Sequence, residues 1–197
     1  CFQVPALMLE GVTLVISPLI SLMKDQVSAL CQAGIRAAYL NSSLTYPQYR
    51  KALANACAGV YKIIYVAPER LLTEEFLAFS HRVRIALVTV DEAHCISQWG
   101  QDFRPSYRKI PDFLAKLPRR PVIGAFTATA TEAVRRDISA QLGLRTPCTV
   151  VTGFDRPNLY FEVQSMTAAE KPAALRALLA ERRGKCGIVY CSTRSRV

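Results

Sequence analysis

Short apolar runs rich in β-branched residues alternate along the chain with segments whose apolar positions recur every three or four residues. "VTLVIS" at 12–17 reads as a strand, and "LISLMKDQVSALCQAG" after it places Leu19, Leu22, Met23, Val27 and Leu30 on one helical face. Gly34 closes that helix, as a residue free to turn left-handed does. Further strands are expected at 36–40, 61–67, 85–90, 121–126 and 148–153, with helices near 46–57, 73–80, 106–116 and 131–142. Runs that are apolar on both faces imply a parallel sheet covered by helices on both sides, an α/β fold. In such a sheet ligands bind beyond the carboxyl ends of the strands. Ser17, Pro68, Asp91 and Thr127 each stand just past a strand end, so they are expected along one edge.

After Gly153 the pattern changes. "FDRPNLYFEV" puts a proline turn before an alternation of Leu159, Phe161 and Val163. A helix is expected across "AAEKPAALRALLAERRG", with Pro172 in its first turn, and then a strand over "CGIVYCS". This divides the chain into a first domain at 1–153, a linker at 154–158 and the start of a second α/β domain at 159–197. No internal repeat or low-complexity tract interrupts the pattern.

Composition narrows the function. With 51% hydrophobic residues among 197, the chain can bury a core. Its formal charge of +10 fits an anionic partner, although a merely basic surface would carry the same charge. Seven scattered cysteines, no C-x-x-C and only two histidines argue against a zinc site within this chain. The odd cysteine count and the lack of a secretory segment fit a reducing, intracellular setting in which most thiols are buried and inert. The longest apolar stretch, "VTLVISPLISLM", is too short to cross a membrane and contains Pro18, so no membrane partner is expected. The chain opens on Cys1 and stops after an apolar run at Val197, and both ends read as cut from a longer protein.

Candidate chemistry begins where "IALVTV" ends in Asp91 and Glu92, the Walker B arrangement. One carboxylate, Asp91, suits a hydrated Mg²⁺, which keeps its waters and takes few protein ligands. The other, Glu92, suits the orientation and deprotonation of a water attacking a γ-phosphate. The same pair also fits a strand-end Asp capping the next helix with Glu in its first turn. Beyond them Trp99 and Phe103 flank a polar loop with Arg104, a composition suited to stacking on bases. Trp99 follows no helical period, whereas Tyr107 reads as a packed residue at a helix start, and the residues alone leave Phe103 open between the two roles. His94 fits a structural histidine, or a catalytic base less well than Glu92 does, and Thr127 and Thr129 fit either a shared hydroxyl network or helix caps.

"DEAH" continued by "CISQWGQDFRPSY" resembles the RecQ family of DNA helicases, and so do five other blocks in the same order. "VISPLISLMKDQV" (15–27) and "YVAPERL" (65–71) are similar to its DNA-contacting motifs, and "FTATAT" (126–131) to the motif coupling hydrolysis to movement. "GFDRPNLYF" (153–161) is similar to the link between its two RecA-like lobes, and "GIVYCSTR" (187–194) to the first motif of the second lobe. The resemblance implies a RecA-like lobe with a second lobe beginning after it, and an ATP- and Mg²⁺-dependent helicase acting on single-stranded and duplex DNA in repair and recombination. It implies Asp91, Glu92 and His94 at the nucleotide, with Asp91 on Mg²⁺ through water, and Gln98, Thr127 and Thr129 in coupling. It places Ser17, Pro18, Pro68, Glu69, Trp99, Phe103, Arg104, Arg156 and Asn158 on DNA. The family's phosphate loop, G-x-G-K-[ST], does not occur in these 197 residues, and the family's zinc site is expected only in a C-terminal region. The stretch by itself is therefore expected to be inactive. An RNA helicase of the same superfamily and a non-catalytic DNA-binding module are the rival readings.

Overall fold

The computed structural model describes residues 1–100, 102–153 and 157–193. Contacts divide the chain into two compact units, Cys1–Thr152 and Gly153–Val197.

The first unit is built on five parallel strands, β1 (Val12–Ile16), β2 (Ala37–Leu40), β3 (Ile63–Val66), β4 (Ile85–Val90) and β5 (Val122–Ala125). They lie side by side in the order β2-β3-β1-β4-β5. Helices α1 (Gln3–Met8), α2 (Ile20–Gln32), α3 (Tyr46–Cys57), α4 (Glu74–Arg82), α5 (Lys109–Lys116) and α6 (Glu132–Gln141) cover it. Alternation along the pleat explains why the central strands are apolar throughout. Leu14, Ile16, Ile64, Val66, Val88 and Val90 join Leu53, Phe76, Phe79, Phe113 and Val134 in one core. Val15, Ile63 and Tyr65 point the other way, onto Ala6, Met23, Val27 and Leu30. Each fully buried aliphatic side chain contributes about 1.5–3 kcal/mol, so the sheet is the rigid part of the unit.

Local signals set the helix ends. At the start of α3 the Gln48 side chain accepts the Thr45 N–H at 2.9 Å, and Pro47 occupies the first turn. Thr131 caps α6 through its hydroxyl, which accepts from the Val134 N–H at 3.4 Å. Arg120 closes the far end of that helix by donating to the Leu142 and Gly143 carbonyls.

Several expectations are corrected. The short helix α1 is not legible in the sequence, because six residues are too few to show a period. The segment 106–116 is a 3₁₀ turn, Pro105–Arg108, running into α5. The stretch after β3 adds a 3₁₀ turn, Pro68–Arg70, before α4, which begins at Glu74 as expected. The run at 148–153 is not a strand and joins no ladder of the sheet. Of the seven cysteines only Cys95 is buried. Cys31 and Cys57 sit in last helical turns beside the buried positions Leu30 and Ala56 and point outward, and Cys1, Cys148, Cys186 and Cys191 lie outside the packed elements.

The second unit contains one described helix, α7 (Lys171–Glu181), which buries none of its residues. The strands expected near 159–163 and 186–192 are not formed among the described residues. Tyr160, Phe161, Val163, Ile188 and Tyr190 are exposed, so these β-prone runs have neither a ladder nor a core to hold them extended.

Candidate functional site

The sheet's carboxyl edge is level. Ala67, Ser17, Asp91 and Phe126 each donate a backbone N–H to the last residue of the neighbouring strand, at 3.1, 3.2, 2.9 and 2.9 Å. The chain reverses its direction of travel across the sheet between β1 and β4, which places Ser17 and Asp91 at the crevice where doubly wound sheets bind ligands. The Ser17 hydroxyl donates to Asp91 Oδ2 at 3.2 Å. Tyr107, fully buried, donates its hydroxyl to the Asp91 carbonyl at 2.8 Å. Burial pushes the Tyr107 phenol far above its ordinary range, so it remains a donor at any working pH.

Glu92 adopts a left-handed backbone, φ 47° and ψ 46°, rare for a residue with a side chain. The turn brings its carboxylate to 3.4 Å from His94 Nδ1. The same nitrogen lies 2.9 Å from Thr127 Oγ1, and Thr127 donates in turn to the Thr129 carbonyl at 3.4 Å. With two acceptors facing it, Nδ1 is the nitrogen suited to carry the imidazole hydrogen. The Ala93 N–H donates to the Phe126 carbonyl at 2.9 Å, so Asp91–His94 are tied to β1 on one side and to the end of β5 on the other. Capping of α6 falls to Thr131, so Thr127 is free to meet the histidine, and Thr129 meets Thr127 through its backbone.

The segment after His94 folds back on it. Gly100 donates its N–H to the Ser97 carbonyl at 3.1 Å, and a Cβ at Gly100 would stand 2.5 Å from the His94 carbonyl oxygen, which only glycine tolerates. Trp99 is 81% exposed, so it is not a core residue, and Gln98 beside it is exposed as well. Phe103 is half-buried with the Arg108 guanidinium 5.4 Å over its ring. Arg104 donates to Asp102 Oδ2 from Nε at 3.0 Å and from Nη2 at 2.8 Å, and reaches the Pro18 carbonyl at 3.4 Å. That pairing holds the Asp102 carboxyl below the usual carboxylate range. Arg104 thereby ties the aromatic segment to the turn after β1.

Along the same edge Pro18, Glu69 and Arg70 line a cavity of about 300 Å³ together with Ile20, Ser42 and Ala67. Pro68 is buried beneath it and Glu69 is exposed. Ser42 escaped the sequence reading. The signal was present, since "NSS" follows the β2 run directly, as Ser17 follows β1. Asn41, buried there, accepts from the Ser43 N–H at 3.0 Å and from its hydroxyl at 2.7 Å, which shapes the turn. Tyr107 and Asp102 were also missed as parts of the site, because their partners are distant in sequence or read as loop polarity. Arg156 and most of the linker expected at 154–158 lie outside the described residues, and Asn158 is exposed in the second unit.

The donor set could hold Mg²⁺. A carboxylate that is not fully buried, beside a hydroxyl, suits an ion that retains its own waters, and Glu92 stands one residue away as a base for water.

Comparison with known proteins bears on the same residues. The DEAD/DEAH box helicase family matches residues 1–137. The chain is 50% identical over 194 residues to the ATP-dependent DNA helicase RecQ of Bacillus subtilis, covering 98% of this chain and 32% of the relative. It is 44% identical over 198 residues to the RecQ helicase of Pasteurella multocida, covering 100% and 31%. It thus spans about a third of the length of these relatives. Among solved structures, the Pyrococcus furiosus Hef helicase domain aligns with TM-score 0.52 and 16% identity over 72% of this chain and 29% of that one. A hypothetical ATP-dependent RNA helicase from Sulfolobus tokodaii aligns with TM-score 0.53 and 20% identity over 72% and 40%. At such identities the structures speak to the fold alone, an α/β parallel sheet of the helicase-lobe kind.

Proposed function

The chain belongs to the DEAD/DEAH box helicase family, and on that footing we propose that it carries the first motor lobe of a RecQ-type, ATP-dependent DNA helicase. The whole protein would couple ATP hydrolysis to movement along single-stranded DNA and to duplex unwinding in repair and recombination, inside the cell where its substrate is. Residues 159–197 would open the second lobe, with the linker before it supplying Arg156 and Asn158 to DNA.

The observation that carries this reading is the His94 bridge. One imidazole touches the Glu92 carboxylate and the Thr127 hydroxyl, and its carbonyl packs on Gly100 beside the exposed Trp99. A carboxylate to deprotonate the attacking water and an aromatic face for a nucleobase would therefore be joined by one short relay. Mg²⁺, when bound, would neutralise charge on the phosphates, and Asp91 would hold it through water while Ser17 and Tyr107 fix that carboxylate and its backbone. Glu92 would orient the nucleophilic water and take its proton. Trp99, with Phe103, would stack on bases, and Gln98, Thr127 and Thr129 would carry the displacement back through His94. Pro18, Ser42 and Glu69 line the edge along which a phosphate backbone would run, while Ser17 and Pro68 are buried and would act there through their backbone or by shaping the turns, with Arg104 linking that edge to the aromatic segment. Contacts of this kind position a strand without reading its sequence. The residues after DEAH favour DNA over RNA as the track, in keeping with the RecQ relatives.

Trp99→Ala in the full-length protein tests it. Stacking is worth about 1–3 kcal/mol per base, so stimulation of hydrolysis by single-stranded DNA should fall at least about tenfold. Basal hydrolysis and thermal stability should persist, since the side chain is exposed and touches no phosphate. A stable variant with normal stimulation refutes the coupling role. In parallel Glu92→Gln should abolish turnover and spare ATP binding, the signature of a lost base. Retention of most turnover would place the base elsewhere.

A further inference from the structure

Three side chains at the root of the aromatic segment turn towards one another. Cys95 Sγ, fully buried, lies 3.8 Å from His94 Nε2 and 3.8 Å from Asp102 Oδ2, and one donor atom from each residue lies within 4.8 Å of the other two. Bonds of about 2.0–2.3 Å to a tetrahedral ion set its donors roughly 3.3–3.8 Å apart, so the two contacts to Cys95 already stand at that spacing and His94 and Asp102 would close on each other to complete it. The histidine is already oriented for that task. Its Nδ1 is held by Thr127 and Glu92, which leaves the Nε2 lone pair directed at the cluster, as the outer partner of a metal-bound imidazole does.

We propose that His94 Nε2, Cys95 Sγ and an Asp102 carboxylate oxygen form a capture site for a borderline-soft divalent cation of the zinc type, completed by water, and that filling it locks the aromatic segment. His94 and Cys95 precede residues 96–101 and Asp102 follows them, so the ion would staple both ends of the stretch that carries Trp99. The chemistry balances without redox. The Cys95 thiol loses its proton to solvent, the thiolate, the imidazole lone pair and the carboxylate each bond the ion, and two negative ligands offset its two charges. Burial, and then the Asp102 carboxylate, push the free thiol up to about 11, so it is protonated until an ion displaces the proton. Arg104 already holds Asp102 and must share it, which makes this a reversible site rather than a structural one. Thiolate and imidazole disfavour Mg²⁺, so the ion serving the nucleotide would not fill it. Capture stands on this geometry alone, whereas the locking rests on the coupling reading above.

Cadmium ion is the probe, because a bound thiolate gives it a charge-transfer absorption in the ultraviolet. Titrated into the full-length protein without nucleotide or DNA, it should occupy one site more per chain in wild type than in Cys95→Ser. Asp102→Asn, a change at a half-exposed carboxylate, should weaken that site at least tenfold. Equal cadmium stoichiometry and affinity in wild type and in either folded variant overturns the site. Zinc ion in the presence of excess Mg²⁺ should then cut DNA-stimulated hydrolysis at least fivefold in wild type, reversibly with a soft-metal chelator, and spare it in Cys95→Ser. Cadmium capture with no zinc effect on stimulation overturns the locking. Because capture is read without DNA or ATP, failure of the helicase reading leaves that arm intact.

Discussion

"IALVTV" at 85–90 and "GIVYCS" at 187–192 are nearly interchangeable as sequences, both short, apolar and rich in β-branched or aromatic residues. The first is a strand between two others, with Val88 and Val90 sealed from solvent. The second is no strand at all, and Ile188 is 80% and Tyr190 90% exposed. The helices of the two units differ in the same way. α2 buries Met23, Val27 and Leu30, while α7 buries nothing. A β-prone run is an offer of backbone groups and side chains, and only a neighbour on each flank and a helix on each face take it up. The first unit assembles all of these from its own residues.

Hydrogen exchange should show the largest contrast. Amides of Val15 and Val88 are expected to open only with global unfolding, whereas those at 187–190 in the 197-residue chain should exchange at least about a thousandfold faster. Comparable protection in both would mean that the second unit has a core of its own. Truncation probes the same contrast by energy. Leu14→Ala removes a fully buried side chain and should cost about 2–5 kcal/mol by denaturant unfolding. Ile188→Ala should stay within about 0.5 kcal/mol, and an equal loss at the two positions would contradict the division. A loss smaller than that at Leu14 sharpens what holds the site-bearing unit together. Tyr107→Phe keeps the ring and leaves the Asp91 carbonyl without its donor, which should cost about 1–2 kcal/mol. An unchanged melting temperature would show that water takes over the bond.

The sequence by itself determined the alternation of strands and helices from Val12 to Gln141, the parallel sheet covered on both faces, and the polar residues standing just past the strand ends. These are local signals. A period of two or of three to four reports how one segment is buried, and Asp91, Glu92 and Trp99 betray themselves by chemistry that a core does not need. Tertiary structure alone decided the strand order, and with it that Ser17 meets Asp91 across 74 positions and that Thr127 meets His94 across 33. It alone placed Glu92 in a left-handed turn, sent the Tyr107 hydroxyl under Asp91, gathered Cys95 with Asp102, and left most cysteines in solvent. It also left the runs after Gly153 without sheet partners among the described residues. The reason is the same in each case. Burial period is written residue by residue, but pairing across a sheet and contact between loops depend on which distant segments arrive together, and no single segment encodes its neighbour.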